Sequence, residues 1–199
     1  MTALLFHTLW GWQAGLEAAS RYAQQSGFDG LEANLEHPCI KGWRPKDVQT
    51  LLNQQNQPLI VEITTGGGYT PRIELSPEHH LAELETKLEQ ACELAPLRIN
   101  LITGSDCWPL TEQHRFLERC LQLLSHTPVP VSLETHRSRS LFNQATSLKC
   151  SGESGSSARK LPSPASARSN PHSIRSGDTA PVGSTRTHPS PSSHISAQA

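Results

Sequence analysis

Pro128-Val129-Pro130-Val131-Ser132-Leu133-Glu134-Thr135-His136-Arg137 is apolar along its body and polar at its end. Val129, Val131 and Leu133 alternate with small or permissive residues, the period of a half-buried strand. A carboxylate, an imidazole and a guanidinium then follow within four positions. A strand that is apolar in its body and ionisable at its C-terminal tip is what a parallel α/β barrel presents to its active site. Taken alone, Glu-x-His after a strand equally describes a strand running into a solvated loop. The stretches upstream decide between the two.

Working back from it, Leu97-Arg98-Ile99-Asn100-Leu101-Ile102 reads as a strand closed by Thr103-Gly104-Ser105-Asp106. Pro58-Leu59-Ile60-Val61-Glu62-Ile63 is strongly β-branched. Phe28-Asp29-Gly30-Leu31-Glu32-Ala33-Asn34 and Ala3-Leu4-Leu5-Phe6, which runs into His7, complete five strands. Helical spacing lies between them. Leu16, Ala19 and Ala23 share a face that Gly27 terminates, and Pro45 opens a short helix carrying Val48, Leu51 and Leu52. Ser76-Pro77 caps and opens the longest helix, with Leu81, Leu84, Leu88, Ala91 and Ala95, and Thr111 caps another through Phe116, Leu117, Cys120, Leu121 and Leu124. Strand starts recur at a spacing of roughly 25 to 40 residues, an alternating βα pattern that predicts a parallel sheet. An open doubly wound sheet and a closed barrel both fit. The first βα turn lacks Gly-x-Gly-x-x-Gly, which disfavours a dinucleotide site. Gly66-Gly67-Gly68 lacks the Gly-Lys-Ser/Thr of a phosphate loop, and the Thr64–Pro71 stretch reads as a flexible connection at the mouth of the fold.

Composition divides the 199 residues unevenly. Residues 1–146 hold every Trp and carry 11 Lys and Arg against 16 Asp and Glu, a net charge of −5. The last 53 residues carry six basic and two acidic side chains, and 15 of them are Ser. Five cysteines, Cys39, Cys92, Cys107, Cys120 and Cys150, include no Cys-x-x-Cys pair. An odd, scattered set suits a reducing compartment rather than a disulfide framework or thiolate zinc site. The N-terminus has no basic region ahead of its short apolar run, and nothing approaches the ~20 apolar residues of a membrane span. The expectation is a cytoplasmic protein.

The strand ends collect His7, Glu32, Glu62, Ser105 or Asp106, and Glu134 with His136. In a parallel barrel such tips converge on one rim. Oxygen and nitrogen donors of this kind suit Mn²⁺, Mg²⁺, Co²⁺ or Zn²⁺. A divalent ion polarises a sugar's carbonyl while a neighbouring carboxylate removes the adjacent proton, giving aldose–ketose isomerisation or epimerisation. His79, His80 and His114 fall within helices and read as solvated-face residues.

Trp10-Gly11, Gly27-Phe28-Asp29-Gly30-Leu31-Glu32 and Ser132-Leu133-Glu134-Thr135-His136-Arg137, with Arg139-Ser140-Leu141-Phe142-Asn143 after it, resemble the sugar phosphate isomerase/epimerase family of xylose isomerase-like TIM barrels. The Glu-Thr-His-Arg run is the more specific match, and the resemblance covers about residues 3–146. It implies an α/β fold, a partial (β/α)8 TIM barrel of about five βα units in residues 1–146. It makes Glu134 a metal ligand and acid/base carboxylate, with His7, Glu32, Glu62, His136 and Arg137 on the substrate side. Arg137 suits a phosphate or other anion.

Such a barrel has eight strands and about 250 residues, and the family draws its remaining ligands from strands six to eight. Past Thr146 no apolar strand or helical period appears, so residues 147–199 read as a disordered Ser/Pro/Arg-rich tail. The abrupt change inside the resemblance favours a shifted reading frame or truncation, which translating the coding DNA beyond Thr146 in all three frames would test. The chain is accordingly expected to hold metal weakly and turn over little sugar. Two alternatives remain. A metal-dependent nuclease acting at abasic DNA sites shares the fold, but a −5 body disfavours it. A non-catalytic fragment that self-associates through open strand edges is the other.

Overall fold

The computed structural model of the chain describes residues 3–142. The Ser-rich tail from 147, and the question of reading frame attached to it, lie outside the described residues. Five strands and four helices alternate: β1 (Phe6–Thr8), α1 (Leu16–Gln25), β2 (Gly30–Asn34), α2 (Pro45–Gln54), β3 (Leu59–Thr64), α3 (Pro77–Glu93), β4 (Arg98–Ile102), α4 (Leu110–Leu124) and β5 (Val131–Leu133). The strands are all parallel and pair in chain order, β1 to β5. A doubly wound sheet reverses its strand order at a switch point. No reversal occurs among the described residues, so right-handed crossovers place all the helices on one face. That is the barrel-type winding, and it removes the ambiguity left by the βα pattern.

Strand alternation sorts the residues between the two faces. Leu31, Ala33, Leu59, Val61, Ile63, Ile99 and Leu101 are buried and join Val48, Leu52, Leu84, Leu88 and Phe116 of the helices in one core. Each such side chain contributes roughly 1.5–3 kcal/mol by leaving water. The residues between them on the strands, Glu32, Asn34, Ile60, Glu62 and Asn100, are half-buried on the other face. Register aligns Asn34 with Glu62, Glu62 with Asn100 and Asn100 with Ser132, a polar row across four strands.

The Gly27–Glu32 motif has a physical account. Gly27 ends α1 at a φ of +78°, a left-handed conformation that glycine adopts without a Cβ penalty. Asp29 then clamps β1: its N–H donates to the Leu5 carbonyl (2.7 Å) and its Oδ2 accepts from the Leu5 N–H (2.7 Å). Gly30 leaves no room for a side chain, since a Cβ there would sit 2.3 Å from the Pro58 carbonyl oxygen. Leu31 enters the core and Glu32 turns to the polar face.

Three local expectations are corrected. Helix α4 begins at Leu110 behind Pro109, so Thr111 lies inside the first turn rather than capping it. The Thr64–Pro71 connection is anchored: the Gly66 N–H donates to Glu83 Oε2 (2.7 Å), and Arg139 donates to the carbonyls of Thr65, Gly68 and Tyr69. His80 is fully buried rather than solvated. Its Nδ1 lies 2.8 Å from Thr65 Oγ1, which lies 2.7 Å from Thr103 Oγ1, and its ring stands edge-on to Trp108 and Phe116. The helix period itself turns His80 inward, four and eight residues ahead of Leu84 and Leu88, and leaves its neighbour His79 outward.

Burial, then the charge of Arg139, push the proton affinity of His80 down to about 4 from an ordinary 6.5, with Glu83 opposing and His79 adding to the fall. The unfolded chain therefore binds the proton first. His80 supports the fold above pH 6.5, and that support is lost as pH falls toward about 4. At 1.36 kcal/mol per unit it amounts to at most about 3 kcal/mol. Urea unfolding between pH 7 and 4 should show a drop of this order that is much reduced in His80→Gln. Equal pH slopes for the two proteins would rule this out.

Candidate functional site

The polar face of β1 to β3 opens into a cleft of about 560 Å³ whose lining includes Thr8, Trp10, Glu32, Asn34, Glu62 and Tyr69. Asn34 is oriented by its own backbone, because its Oδ1 accepts the Glu36 N–H (2.9 Å). That leaves its Nδ2 to donate to Glu62 Oε1 (2.8 Å). On β4, Asn100 Nδ2 donates to Glu134 Oε2 (2.9 Å) and reaches Glu32 Oε1 (3.4 Å). Glu134 extends β5 by one further bond, its N–H donating to the Leu101 carbonyl (2.9 Å). Carboxylates from β2 and from the end of β5 thus share one carboxamide of β4.

Electrostatics follow from this crowding. Burial raises the proton affinity of Glu32, and the carboxylates of Glu62 and Glu134 raise it further, against the Asn100 hydrogen bond. Burial and then Glu62 raise Glu134, against the pull of His136. The Tyr69 phenol is held protonated well above its ordinary range by burial and then by the Glu62 carboxylate, against the amide of Asn34. The Tyr69 ring centroid lies 6.0 Å from that of His136, which brings the Gly66–Tyr69 loop beside the segment after β5. At the cleft wall Lys87 pairs with Glu83 (2.8 Å) and also donates to the Thr64 carbonyl (2.8 Å).

Of the residues singled out from sequence, Glu32 and Glu62 line the cleft. Glu134 is joined to them through Asn100, and His136 through Tyr69. Arg137 is exposed. His7 lies elsewhere: Thr8 is the β1 residue in register with Glu32, so His7 faces the helices. There it packs against Trp12, Tyr22 and Phe28, with centroids 5.4, 5.0 and 5.4 Å away. Ser105 is buried and accepts from the Cys107 N–H, while Asp106 donates its N–H to Ser138, so both serve the loop after β4. Sequence reasoning passed over Asn34, Asn100, Tyr69 and Arg139. Parity with Glu32 and Glu62 on their strands was a usable signal for the two asparagines.

No protein-family model and no curated protein matches the sequence. Solved structures of like fold include an L-ribulose 3-epimerase, 15% identical with a TM-score of 0.61, covering 78% of this chain and 58% of that one. A 3-keto-D-glucoside 4-epimerase from E. coli is 16% identical with a TM-score of 0.56, covering 76% and 64%. A D-allulose 3-epimerase from Methylomonas sp. is 14% identical with a TM-score of 0.53, covering 77% and 60%. The chain therefore spans less than two thirds of the length of each of these three structures. At such identities the likeness speaks for the fold alone, and the fold is that of a TIM barrel, represented among the described residues by five strands and four helices.

Proposed function

We propose that the cleft binds a small sugar and moves a proton beside its carbonyl, as an aldose–ketose isomerase or an epimerase does. One contact supports this reading above the rest: the Asn100 amide touches Glu134 and Glu32 together, and both carboxyls hold their protons more tightly than usual. A carboxyl tuned upward from its ordinary value is suited to exchanging a proton near neutral pH. Glu134 takes the proton from the carbon beside the carbonyl, and the electron pair of that bond moves toward the carbonyl oxygen to give an enediolate. Return of the proton to the neighbouring carbon, with the hydroxyl proton passing from one enediolate oxygen to the other, exchanges aldose and ketose; delivery of a proton by a second acid to the opposite face of the same carbon, with Glu134 keeping the first, inverts that centre. Glu32 and Glu62 accept hydrogen bonds from sugar hydroxyls, with His136 and Arg137 toward the outer end. The epimerases of like fold add to the reading.

The cleft is acidic, with Glu32, Glu36, Glu62 and Glu83 on its walls and Lys87 already paired to Glu83. That favours an uncharged sugar over a sugar phosphate, and nothing in it favours a DNA phosphodiester. A divalent ion, Mn²⁺, Mg²⁺, Co²⁺ or Zn²⁺, would take Glu134 as one ligand and supply Lewis acidity. The fit is incomplete, because among the described residues no group of three or more His, Cys, Asp or Glu side chains is arranged to hold one. No step above runs through the ion, and the chain should hold it weakly. Free thiols at Cys39, Cys92, Cys107 and Cys120 suit a reducing cytoplasm. No helix among the described residues is long and apolar enough to cross a membrane. Edges at β1 and β5 favour self-association.

Two measurements test the reading. Glu62→Gln removes a charge that raises both partners, so Glu32 and Glu134 should titrate at lower pH by ¹³C carboxyl shifts. Unmoved titrations would break the electrostatic argument. In calorimetry with Mn²⁺ and a ketose–aldose interconversion assay, the 199-residue chain should bind weakly and turn over little. Fusion to a family-like C-terminal half should recover both, and Glu134→Gln should then lower the rate by about 10² to 10⁴. An inactive fusion, or activity indifferent to Glu134, would overturn the assignment.

A further inference from the structure

Arg139 is fully buried, although it follows the last strand by only a few residues. Its Nη1 donates to the carbonyls of Thr65 (2.6 Å) and Gly104 (3.1 Å), its Nε to that of Tyr69 (3.2 Å), and its Nη2 to that of Gly68. Segments after three strands, β3, β4 and β5, therefore meet on one guanidinium. The planar fork makes this feasible, since a guanidinium presents five donors in fixed directions and an ammonium presents three on a flexible stem. Behind it, Thr65 Oγ1 bonds to His80 and Thr103, and Ser140 Oγ meets the Ser105 backbone (3.1 and 3.2 Å).

The loop it grips has little order of its own. Gly66, Gly67 and Gly68 run consecutively at φ of +71°, +104° and +91°, a path that side-chain-bearing residues rarely follow and that glycine leaves readily. Tyr69 comes directly after them, with its carbonyl on Arg139, its ring 6.0 Å from that of His136 and its side chain on the cleft wall with Glu62.

We propose that Arg139 is a positioning residue of the cleft: by holding the carbonyls of Thr65, Gly68 and Tyr69 it fixes the Gly66–Tyr69 loop so that the Tyr69 side chain stands on the cleft wall with Glu62. Arg139 acts through Tyr69 and needs no contact with substrate. Its bearing on turnover rests on the sugar reading above, whereas the placement of Tyr69 does not.

Nitration by tetranitromethane, which attacks the phenolate, measures that placement on the full chain without substrate. The two tyrosines are Tyr69 and Tyr22, and Tyr22 packs with His7 and Trp12 away from the loop. Peptide mass spectrometry gives the ratio of their nitration rates. Arg139→Ala should raise the Tyr69-to-Tyr22 ratio about tenfold for each unit of proton affinity that Tyr69 loses. Added guanidinium ion should bring the ratio back down, and Arg139→Lys should fall between. A general loosening of the fold would also raise the ratio, because Tyr22 is already exposed, but added guanidinium ion would then not bring it down again. An unchanged ratio in folded Arg139→Ala or Arg139→Lys overturns the proposal. Should neither variant fold, Glu62→Gln alone must raise the ratio, and failure to do so also overturns it. A raised ratio in a protein whose cleft ignores sugars upholds the positioning role and removes the sugar reading; an unchanged ratio beside Glu134-dependent turnover does the reverse.

Discussion

Each strand of this sheet has to satisfy two environments at once, and that constraint shapes everything else. Side chains of one parity must fill the space beneath the helices, which Leu31, Val61, Ile63, Ile99 and Leu101 do. Parallel pairing then carries the other parity across the sheet in register, so that Asn34, Glu62, Asn100 and Ser132 fall in one row. The cleft is a by-product of the same alternation that builds the core. Its carboxylates and amides are neighbours because the ladder hydrogen bonds set the level of every strand.

A second buried centre supports the first, and it is polar. Arg139, Thr65, Thr103, His80 and Ser140 lie within the fold where loops after β3, β4 and β5 come together. A buried cation is tolerated only when its donors are matched by acceptors. Four carbonyls provide the match, and burial leaves the guanidinium with a proton affinity lowered to about 10. The neutral state of His80 follows first from burial and then from the charge of Arg139, which the Glu83 carboxylate offsets only in part.

Much of this could be read from the residues, and the limits have physical causes. Helices α1 and α2 fall at the expected residues because Gly27 and Pro45 mark their ends unambiguously. Strand β1 starts later than its apolar run, since Asp29 engages Leu5 through the backbone before the ladder begins. Glu32, Glu62 and Glu134 were visible as polar residues after apolar runs, while His7, the middle residue of β1, belongs to the opposite parity. The burial of Arg139 depends on loops meeting across about 70 positions of chain. No local period carries that information.

The strictly sequential winding has a consequence for how the molecule opens. Among the described residues every strand meets only its neighbours in the chain, so the ladder resembles a short stack of repeated units whose stability is shared between adjacent members. Units at the ends of such a stack have one supporting neighbour and those in the middle have two. Amide protection against hydrogen exchange should therefore be greatest in β3 and decline toward β1 and β5, a gradient set by position in the stack more than by local composition. The cleft straddles that gradient: Glu62 stands on the central strand, whereas Glu134 follows directly on β5.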